Sequence, residues 1–291
     1  MTAAKVAQPA TKIKTPSKGR NVRINFLSLI GIGFLLLLIL VAIFANYITP
    51  YDPLATNAAR AMQGPSWAHW AGTDQLGRDI LSRLIIAAQI DLFIAFSAVL
   101  LSFSFGTVIG AISGYFVGWF DKIVGRLVDV LMAFPLFILA MAFVAALGNG
   151  MANIIYATAL INLPFYIRFA RAEVNARRHS GWVEAARLSG NSHWRIILFF
   201  LIPNILPLAA VQISLNLGWA ILNAAGLSFL GLGVQPPVPE WGMMVSDGAG
   251  YISNGNWWLV AFPGLALMLA VLSFNIVGDS LRDLLDPRGR R

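Results

Sequence analysis

Two short segments concentrate the charged side chains that could do chemistry in this chain. Gly72–Asp79 reads GTDQLGRD, with two acids and an arginine close together. Val183–Gly190 reads VEAARLSG and carries a single acid, Glu184, beside a pair of alanines. Acids and arginines in such arrangements suit helix capping, ion pairing and docking between proteins. Neither segment offers the paired nucleophile and base that covalent catalysis requires.

Other reactive groups are scarce. The chain has no cysteine, which excludes disulfides, thiol catalysis and cysteine metal sites. Its three histidines, His69, His179 and His193, lie far apart in the sequence and do not predict a metal site. A P-loop that cradles phosphates contains Gly-Lys followed by Ser or Thr, and no Gly-Lys pair occurs. We therefore expect no catalytic residue, metal or cofactor in this chain.

The composition is that of a membrane protein. Of the 291 residues, 58% are hydrophobic and 12% charged, and the mean hydropathy is +0.72. A soluble domain of this length could not hide so much apolar surface from water. The net charge of +8 is spread too thinly to indicate nucleic acid as a partner, and is typical of Lys and Arg in cytoplasmic segments.

Long uncharged runs predict the membrane spans. A helix needs about 20 apolar residues to cross the hydrocarbon core. The basic N-terminus precedes a run too long for the core of a signal peptide, so residues 24–48 are predicted to be a retained anchor. Residues 130–167 are predicted to form two helices around Gly148–Gly150. The uncharged runs are Ile24–Tyr51, Leu92–Phe120, Val130–Ile167, Ile196–Pro239 and Gly248–Leu281, the last broken only by Asp279.

Charge distribution fixes the predicted direction of these spans. Residues 196–239 could hold one span or two, but only a single span keeps the basic C-terminus on the cytoplasmic side, as the positive-inside tendency requires. All of the 21 Lys and Arg residues except Arg60, Arg78 and Arg83 are then cytoplasmic. The sequence thus predicts an all-α protein with six spans and both termini in the cytoplasm.

The predicted organisation follows directly. The segments are a cytoplasmic tail (1–23), an anchor helix (24–48), an external loop (49–91), a five-helix core (92–281) and a cytoplasmic C-terminus (282–291). Within the core lie a cytoplasmic loop (171–195) and an external hairpin (231–258).

Several polar and aromatic residues allow more than one interpretation. Asp91, Asp129 and Asp279 are predicted at span ends, as interfacial charges. The small and amide residues within the spans could serve close helix packing or line a polar path. Four aromatic residues are predicted at the external interface, with burial in the core as the alternative: Trp241, Tyr251, Trp257 and Trp258.

The cytoplasmic loop contains a candidate docking helix. Gly181–Ser189 can form a short helix, with Gly190 placed to adopt a left-handed φ at its C-terminal end. Ala185 and Ala186 would give it a low-relief face, and Glu184 lies where the helix dipole favours an acid. Prolines at 203 and 207 predict a kink in the next span. The segment is either a helix that transmits a push from a partner or an ordinary interfacial helix.

The external loop carries its own charge pattern. Thr73 or Asp74 could cap a short helix, in which Asp74–Arg78 and Asp79–Arg83 would form pairs of opposite charge. This helix would either present a surface to a partner protein or serve only its own stability.

Four stretches resemble one family. Glu184, Ala185, Ala186 and Gly190, with Ile205–Pro207 beyond them, are similar to the coupling loop of ABC importer permeases. The other three resemble the second permease subunit of dipeptide, oligopeptide and nickel importers, so that the likeness extends from about residue 46 to 287. They are Gly72–Asp79 with Ser82 and Arg83, Leu227–Gly242 (LSFLGLGVQPPVPEWG) and Asp279–Pro287 (DSLRDLLDP).

The resemblance implies a type I ABC importer fold, a permease core of five helices preceded by one anchor helix, in the bacterial inner membrane. It implies a second homologous permease, two cytoplasmic ATPases that bind ATP and Mg²⁺, and an extracytoplasmic solute-binding protein as partners. It implies ATPase coupling by Glu184, Ala185, Ala186 and Gly190. The residues implied in external docking or gating are Gly72, Thr73, Asp74, Gly77, Arg78 and Asp79.

The expected cargo is a dipeptide or oligopeptide, with nickel chelates, glutathione or other peptide-like solutes as the alternative. A secondary transporter would need ionisable groups deep within its spans, which the predicted spans lack, and a structural scaffold would not need the helix before Gly190. The chain departs from the family pattern after Arg83, where Gln89 replaces a basic residue and Asp91 adds an acid. That departure puts a family-derived salt bridge there in doubt.

Overall fold

The computed structural model describes residues 26–285, and within this range the regular structure is helical. The bundle is built from seven helices of twelve or more residues and two shorter ones, which we number in chain order. They are α1 (Phe26–Ile48), α2 (Ile80–Phe116), α3 (Trp119–Ala133), α4 (Leu136–Leu147), α5 (Met151–Arg177), α6 (Gly181–Leu188), α7 (His193–Phe229), α8 (Trp241–Ala249) and α9 (Trp258–Leu285). The tail 1–23 and the last residues of 282–291 lie outside the described residues.

Helix breaks fall where the backbone chemistry requires them. Pro135, which has no amide N–H, separates α3 from α4, and the two helix axes differ by 93°. The predicted turn at Gly148–Gly150 separates α4 from α5, with both glycines at positive φ. Near Pro203, α7 contains a π-helical turn, Ile196–Leu201; the kink predicted there stays a prediction.

Two helices extend beyond or divide the stretches predicted from the sequence. Helix α2 begins at Ile80, inside the predicted external loop 49–91, because Asp79 caps its N-terminus and residues 80–91 continue the helix. The run 130–167 is divided at the predicted turn and also at Pro135, so that it contains the end of α3, the whole of α4 and the start of α5.

Within the described residues, four helices are long and apolar enough to cross a membrane: α1, α2, α7 and α9. The bent pair α3–α4 would make a fifth span. Helix α5 has 27 residues but falls outside this set, since charged residues occupy its last third and its first part contains Asn153, Asn162 and Pro164. The count of six therefore stays a prediction.

Helices α2 and α5 pack closely through a stripe of glycines. Gly106, Gly110 and Gly114 lie one turn apart on α2, and the backbone of α5 lies directly over them. A methyl group added at Gly110 would stand 2.4 Å from the carbonyl oxygen of Ile167. Small residues allow such close approach between membrane helices, so packing explains this part of the small-residue pattern.

Gly110→Ala is expected to destabilise the protein, although alanine is the better helix former. Helix propensity alone would add about 1 kcal/mol of stability, but the overpacked contact with Ile167 costs about 1–3 kcal/mol. The matched control is Gly33→Ala in α1, where a methyl group meets no atom within 4 Å. Thermal unfolding in detergent should show a lower Tm for Gly110→Ala only. Equal melting temperatures for the two variants would contradict the packing account.

Candidate functional site

The predicted site residues lie at opposite ends of α2. Asp79 precedes its first residue, and Tyr115 near its last residue contacts the helix that carries Glu184. The helix has 37 residues, which corresponds to about 55 Å at 1.5 Å per residue. We call these ends the loop end, with residues 49–79, and the docking end, with residues 178–195. The two predicted groups therefore form two separate sites.

The docking end carries the predicted short helix. Gly181–Leu188 is helical, and Gly190 follows it with φ +79°. The Gly190 amide donates to the Arg187 carbonyl and the Asn191 amide to the Ala186 carbonyl, which closes the helix as a Schellman motif. The left-handed glycine expected from the sequence is thus present, and it directs the chain toward α7.

One face of α6 is fixed to the bundle and the other is exposed. Val183 and Ala186 are buried in a cluster with the π-helical turn of α7, namely Ile196, Ile197 and Leu201. Glu184, Ala185 and Leu188 are exposed, and 90% of Leu188 is accessible. The prediction that Ala185 and Ala186 share a low-relief face was wrong, because neighbouring helical residues point about 100° apart and Ala186 faces inward.

A polar anchor that the sequence analysis missed holds α6 to the end of α2. Arg187 Nε donates to the hydroxyl of Tyr115 at 3.2 Å, and the guanidinium lies 5.1 Å from the centre of the Tyr115 ring. The same hydroxyl is 2.8 Å from His193 Nδ1, at the start of α7. Tyr115 therefore connects α2, α6 and α7 through one buried phenol. Only the tertiary fold brings these residues together, and no local sequence pattern predicts their contact.

At the loop end, Asp74 is the centre of a buried ion-pair cluster. Its Oδ1 accepts hydrogen bonds from the backbone amides of Leu76 and Arg78, each at 2.9 Å. Its Oδ2 accepts from Arg78 Nε at 2.6 Å and lies 3.7 Å from Arg83 Nε. The predicted Asp74–Arg78 pair exists, but in a turn, not in a helix.

Asp79 has a different role from the predicted one. Its Oδ2 accepts from the Ser82 amide at 2.7 Å and caps α2, while Oδ1 lies 2.8 Å from His69 Nδ1. It makes no ion pair with Arg83, which turns toward Asp74 and the carbonyls of Pro53 and Pro237. The predicted short helix capped by Thr73 or Asp74 is absent from this described loop, since Asp79 begins the helix.

The remaining residues of the motif shape the turn. Gly72 and Gly77 have φ of +78° and +72°, and a methyl group at Gly77 would lie 1.9 Å from the Asn57 carbonyl oxygen. Thr73 is buried and accepts from the Gln63 amide at 2.9 Å. Because Thr73, Asp74, Arg78 and Asp79 are all buried within the chain, they order the loop and do not form its outer surface.

Asp74→Asn is expected to loosen this loop. The substitution removes the charge that faces Arg78 and Arg83, and hydrogen bonds to a charged group contribute about 2 kcal/mol. The matched control is Asp52→Asn, an exposed acid whose carboxylate accepts only from the Leu54 amide. Limited proteolysis should cleave residues 57–79 faster in Asp74→Asn than in the control. Equal cleavage rates would contradict a role for Asp74 in ordering the loop.

A pair of buried acids joins α2 to the 231–258 hairpin. Glu240 caps α8, accepting from the amides of Gly242 and Met243 at 2.9 and 2.8 Å. Asp91 Oδ2 accepts from the Trp241 amide at 3.1 Å, and its carboxyl group lies close to that of Glu240. Burial raises the pKa of Glu240. Adjacent carboxyl groups shielded from water are stable when they share a proton.

This pair corrects two predictions. Asp91 is buried within α2 and is not an interfacial charge, because the helix starts earlier than predicted. The hairpin contains α8, which packs against α2, α7 and α9. As a result Trp241 and Trp258 are buried, which supports the core alternative for them, whereas Trp257 is exposed.

Comparison with known proteins places the chain among membrane transport components. Residues 106–291 match the family described as binding-protein-dependent transport system inner membrane component. Residues 20–65 match the N-terminal transmembrane domain of oligopeptide transport permease C.

Named relatives extend over most of the chain. The dipeptide transport system permease protein DppC of Alkalihalophilus pseudofirmus is 42% identical over 269 residues, which are 92% of this chain and 88% of that protein. The glutathione transport system permease protein GsiD of Pectobacterium atrosepticum is 42% identical over 88% of this chain and 85% of its own length.

A solved structure has the same fold. A chain of the MetNI methionine ABC transporter, in an inward-facing conformation, aligns with a TM-score of 0.56 and 18% identity. The alignment covers 70% of this chain and 97% of that chain. At this identity the likeness concerns the fold alone.

Proposed function

The chain belongs to the family of binding-protein-dependent transport system inner membrane components, and we propose that it is a permease subunit that carries dipeptides and oligopeptides inward across the cytoplasmic membrane. The observation that supports this function best is at the docking end, where α6 is packed onto the π-helical start of α7 and keeps its other face exposed. A helix held this way can pass a displacement from a soluble partner into a membrane span.

The exposed face of α6 is the proposed contact with a cytoplasmic ATPase. Glu184, Ala185 and Leu188 would enter a groove on that partner, with the exposed Trp182 and Trp194 beside them. Gly190 and Ala186 act differently: Gly190 ends the helix, and Ala186 fixes it to α7. Movement of the ATPase would then reach α7 at its π-helical turn and α2 through Tyr115.

In the proposed transporter, other subunits bind and hydrolyse all of the ATP. Two ATPase subunits bind ATP and Mg²⁺, a second homologous permease completes the path, and an extracytoplasmic solute-binding protein delivers the peptide. This chain supplies no catalytic residue and holds no cofactor in the proposal. The division of labour agrees with the absence of a Gly-Lys pair from the sequence.

The loop end is the proposed contact for the solute-binding protein or the second permease. Buried Asp74, Arg78 and Asp79 would hold the loop in shape, while its exposed aromatic residues make the contact. Trp67 and Trp70 are 97% and 69% accessible, and Trp257, between α8 and α9, is also exposed. Exposed tryptophans are enriched at protein interfaces.

The proposed topology has six spans and cytoplasmic termini. The spans are α1, α2, the bent pair α3–α4, α5, α7 and α9. Helix α5 is included because it packs along α2 and is long enough, about 40 Å for its 27 residues. A reporter domain fused after Arg291 should be found in the cytoplasm; an external reporter would refute the count.

Glutathione is the second candidate cargo, because one of the close relatives bears that name; nickel chelates and other peptide-like solutes are further alternatives. Purification of the chain from native membranes, with its partners identified by mass spectrometry, tests the assembly. We expect a second permease and ATPases to co-purify. If they do and reconstituted uptake favours glutathione over dipeptides, the proposed assembly is correct and the transported solute is glutathione. A chain that purifies alone refutes the proposal.

A further inference from the structure

A cavity of about 350 Å³ lies between α4, α5 and α7. Its lining is apolar and aromatic except for four side-chain amides, from Asn162, Gln212, Asn216 and Asn223. No ionisable side chain lines it. The volume falls within the range of pockets that bind small molecules. We call this space the amide cavity.

Two of the amides have no partner within the described chain. The Nδ2 atoms of Asn162 and Asn216 are buried and donate no hydrogen bond, and the two residues are only 3% and 5% accessible. Buried polar groups are almost always hydrogen-bonded in proteins, so unused donors gathered at one cavity indicate a site that a ligand completes.

The position of the cavity suits a transported molecule. Asn162 lies near the middle of α5 and Asn216 near the middle of α7, so both are far from either end of the bundle. The side chain of Trp219, at the edge of the cavity, is 60% accessible, so the cavity opens on the surface of the chain. A ligand could therefore enter between this subunit and a neighbouring one.

The chemistry of the lining indicates which part of a peptide it would contact. Side-chain amides donate and accept as the peptide bond does. A charged lining would favour peptides with the opposite side-chain charge, whereas neutral amides satisfy the backbone of any peptide. From these observations we infer that the amide cavity binds the backbone amide groups of the peptide during translocation. This inference rests on the proposed function and adds the residues that contact the cargo.

The test uses the whole transporter, with its partners, in proteoliposomes. Asn162→Leu and Asn216→Leu keep the side-chain size but remove the amide. We expect each to lower the uptake of Ala-Ala per ATP hydrolysed by about tenfold, the effect of losing a hydrogen bond in a dry site. ATP hydrolysis stimulated by the binding protein should continue. Asn175→Leu, the same change at an exposed residue of α5 outside the cavity, is the matched control and should retain most of the uptake.

Wild-type uptake per ATP in both Asn variants would overturn the inference. Failure of the unmodified transporter to carry any peptide would instead refute the proposed function, so the two failures are distinguishable. A second measurement applies if the Asn variants do not fold. Because the chain has no cysteine, a Leu136→Cys variant can be alkylated at one lining position. Ala-Ala should slow its alkylation during turnover, and an unchanged rate with continuing uptake would overturn the inference.

Discussion

Replacing Gly190 with valine should abolish ATP-driven peptide uptake while leaving the protein in the membrane. The native φ of +79° is strongly unfavourable for a β-branched residue, so the Schellman motif that ends α6 would open. The exposed face of α6 would then lose its fixed direction relative to α7. Because the movement of the ATPase would then no longer reach α7 in the correct direction, we expect uptake to fall by about tenfold or more. Misplaced catalytic groups reduce reaction rates by similar factors.

The experiment compares uptake and membrane insertion in three variants. Gly250→Val is the matched control, since Gly250 has a negative φ and open space around it. Glu184→Lys reverses the one charge on the exposed face without altering the turn and should uncouple transport as well. Normal uptake in both Gly190→Val and Glu184→Lys would remove the basis for the docking assignment.

Replacing Glu240 with alanine should be strongly destabilising. It leaves the amides of Gly242 and Met243, at the start of α8, without an acceptor. Each buried amide left without an acceptor costs about 1–3 kcal/mol. Asp91→Asn is the matched comparison, because its amide can donate to Glu240 and its oxygen can still accept from the Trp241 amide. We expect that variant to fold and to remain close to wild type in Tm.

The same pair predicts a pH dependence of stability. Because burial raises the pKa of Glu240 in the folded state, the folded protein binds this proton more tightly than the unfolded chain. The free energy of unfolding is then highest below the unfolded pKa, about 4.3, and falls as the pH rises through the folded pKa. Asp91→Asn removes the second acid and should flatten this fall. Identical pH profiles of Tm for wild type and Asp91→Asn would show that the acids are not coupled.

The parts of the structure that the sequence predicted are those with a local cause. Gly190 takes a left-handed φ because it follows the last turn of a helix, where glycine adopts this conformation without steric cost. The helix and the glycine are adjacent in the sequence, so the pattern can be recognised there. The break at Gly148–Gly150 has an equally local cause. The family resemblance, which rested on short motifs at several points of the chain, was confirmed by the comparisons.

The parts that were mispredicted depend on residues far apart in the sequence. Arg83 pairs with Asp74 and not with Asp79, since Asp79 is occupied by the cap of α2 and by His69. Asp91 looked interfacial because its neighbour in space, Glu240, is 149 positions away. The sequence around Tyr115 did not predict its structural role, because that role depends on contacts with Arg187 and His193, which lie far away in the sequence.

The most direct test of the whole account is peptide uptake into proteoliposomes that contain this chain with its co-purified partners. Labelled dipeptide, binding protein outside and ATP on the side of the ATPases are the required components. The account predicts accumulation that needs both ATP and the binding protein, and that stops when either is omitted. Uptake that proceeds without ATP, or a complete assembly that hydrolyses ATP and carries neither dipeptides nor glutathione, would contradict it.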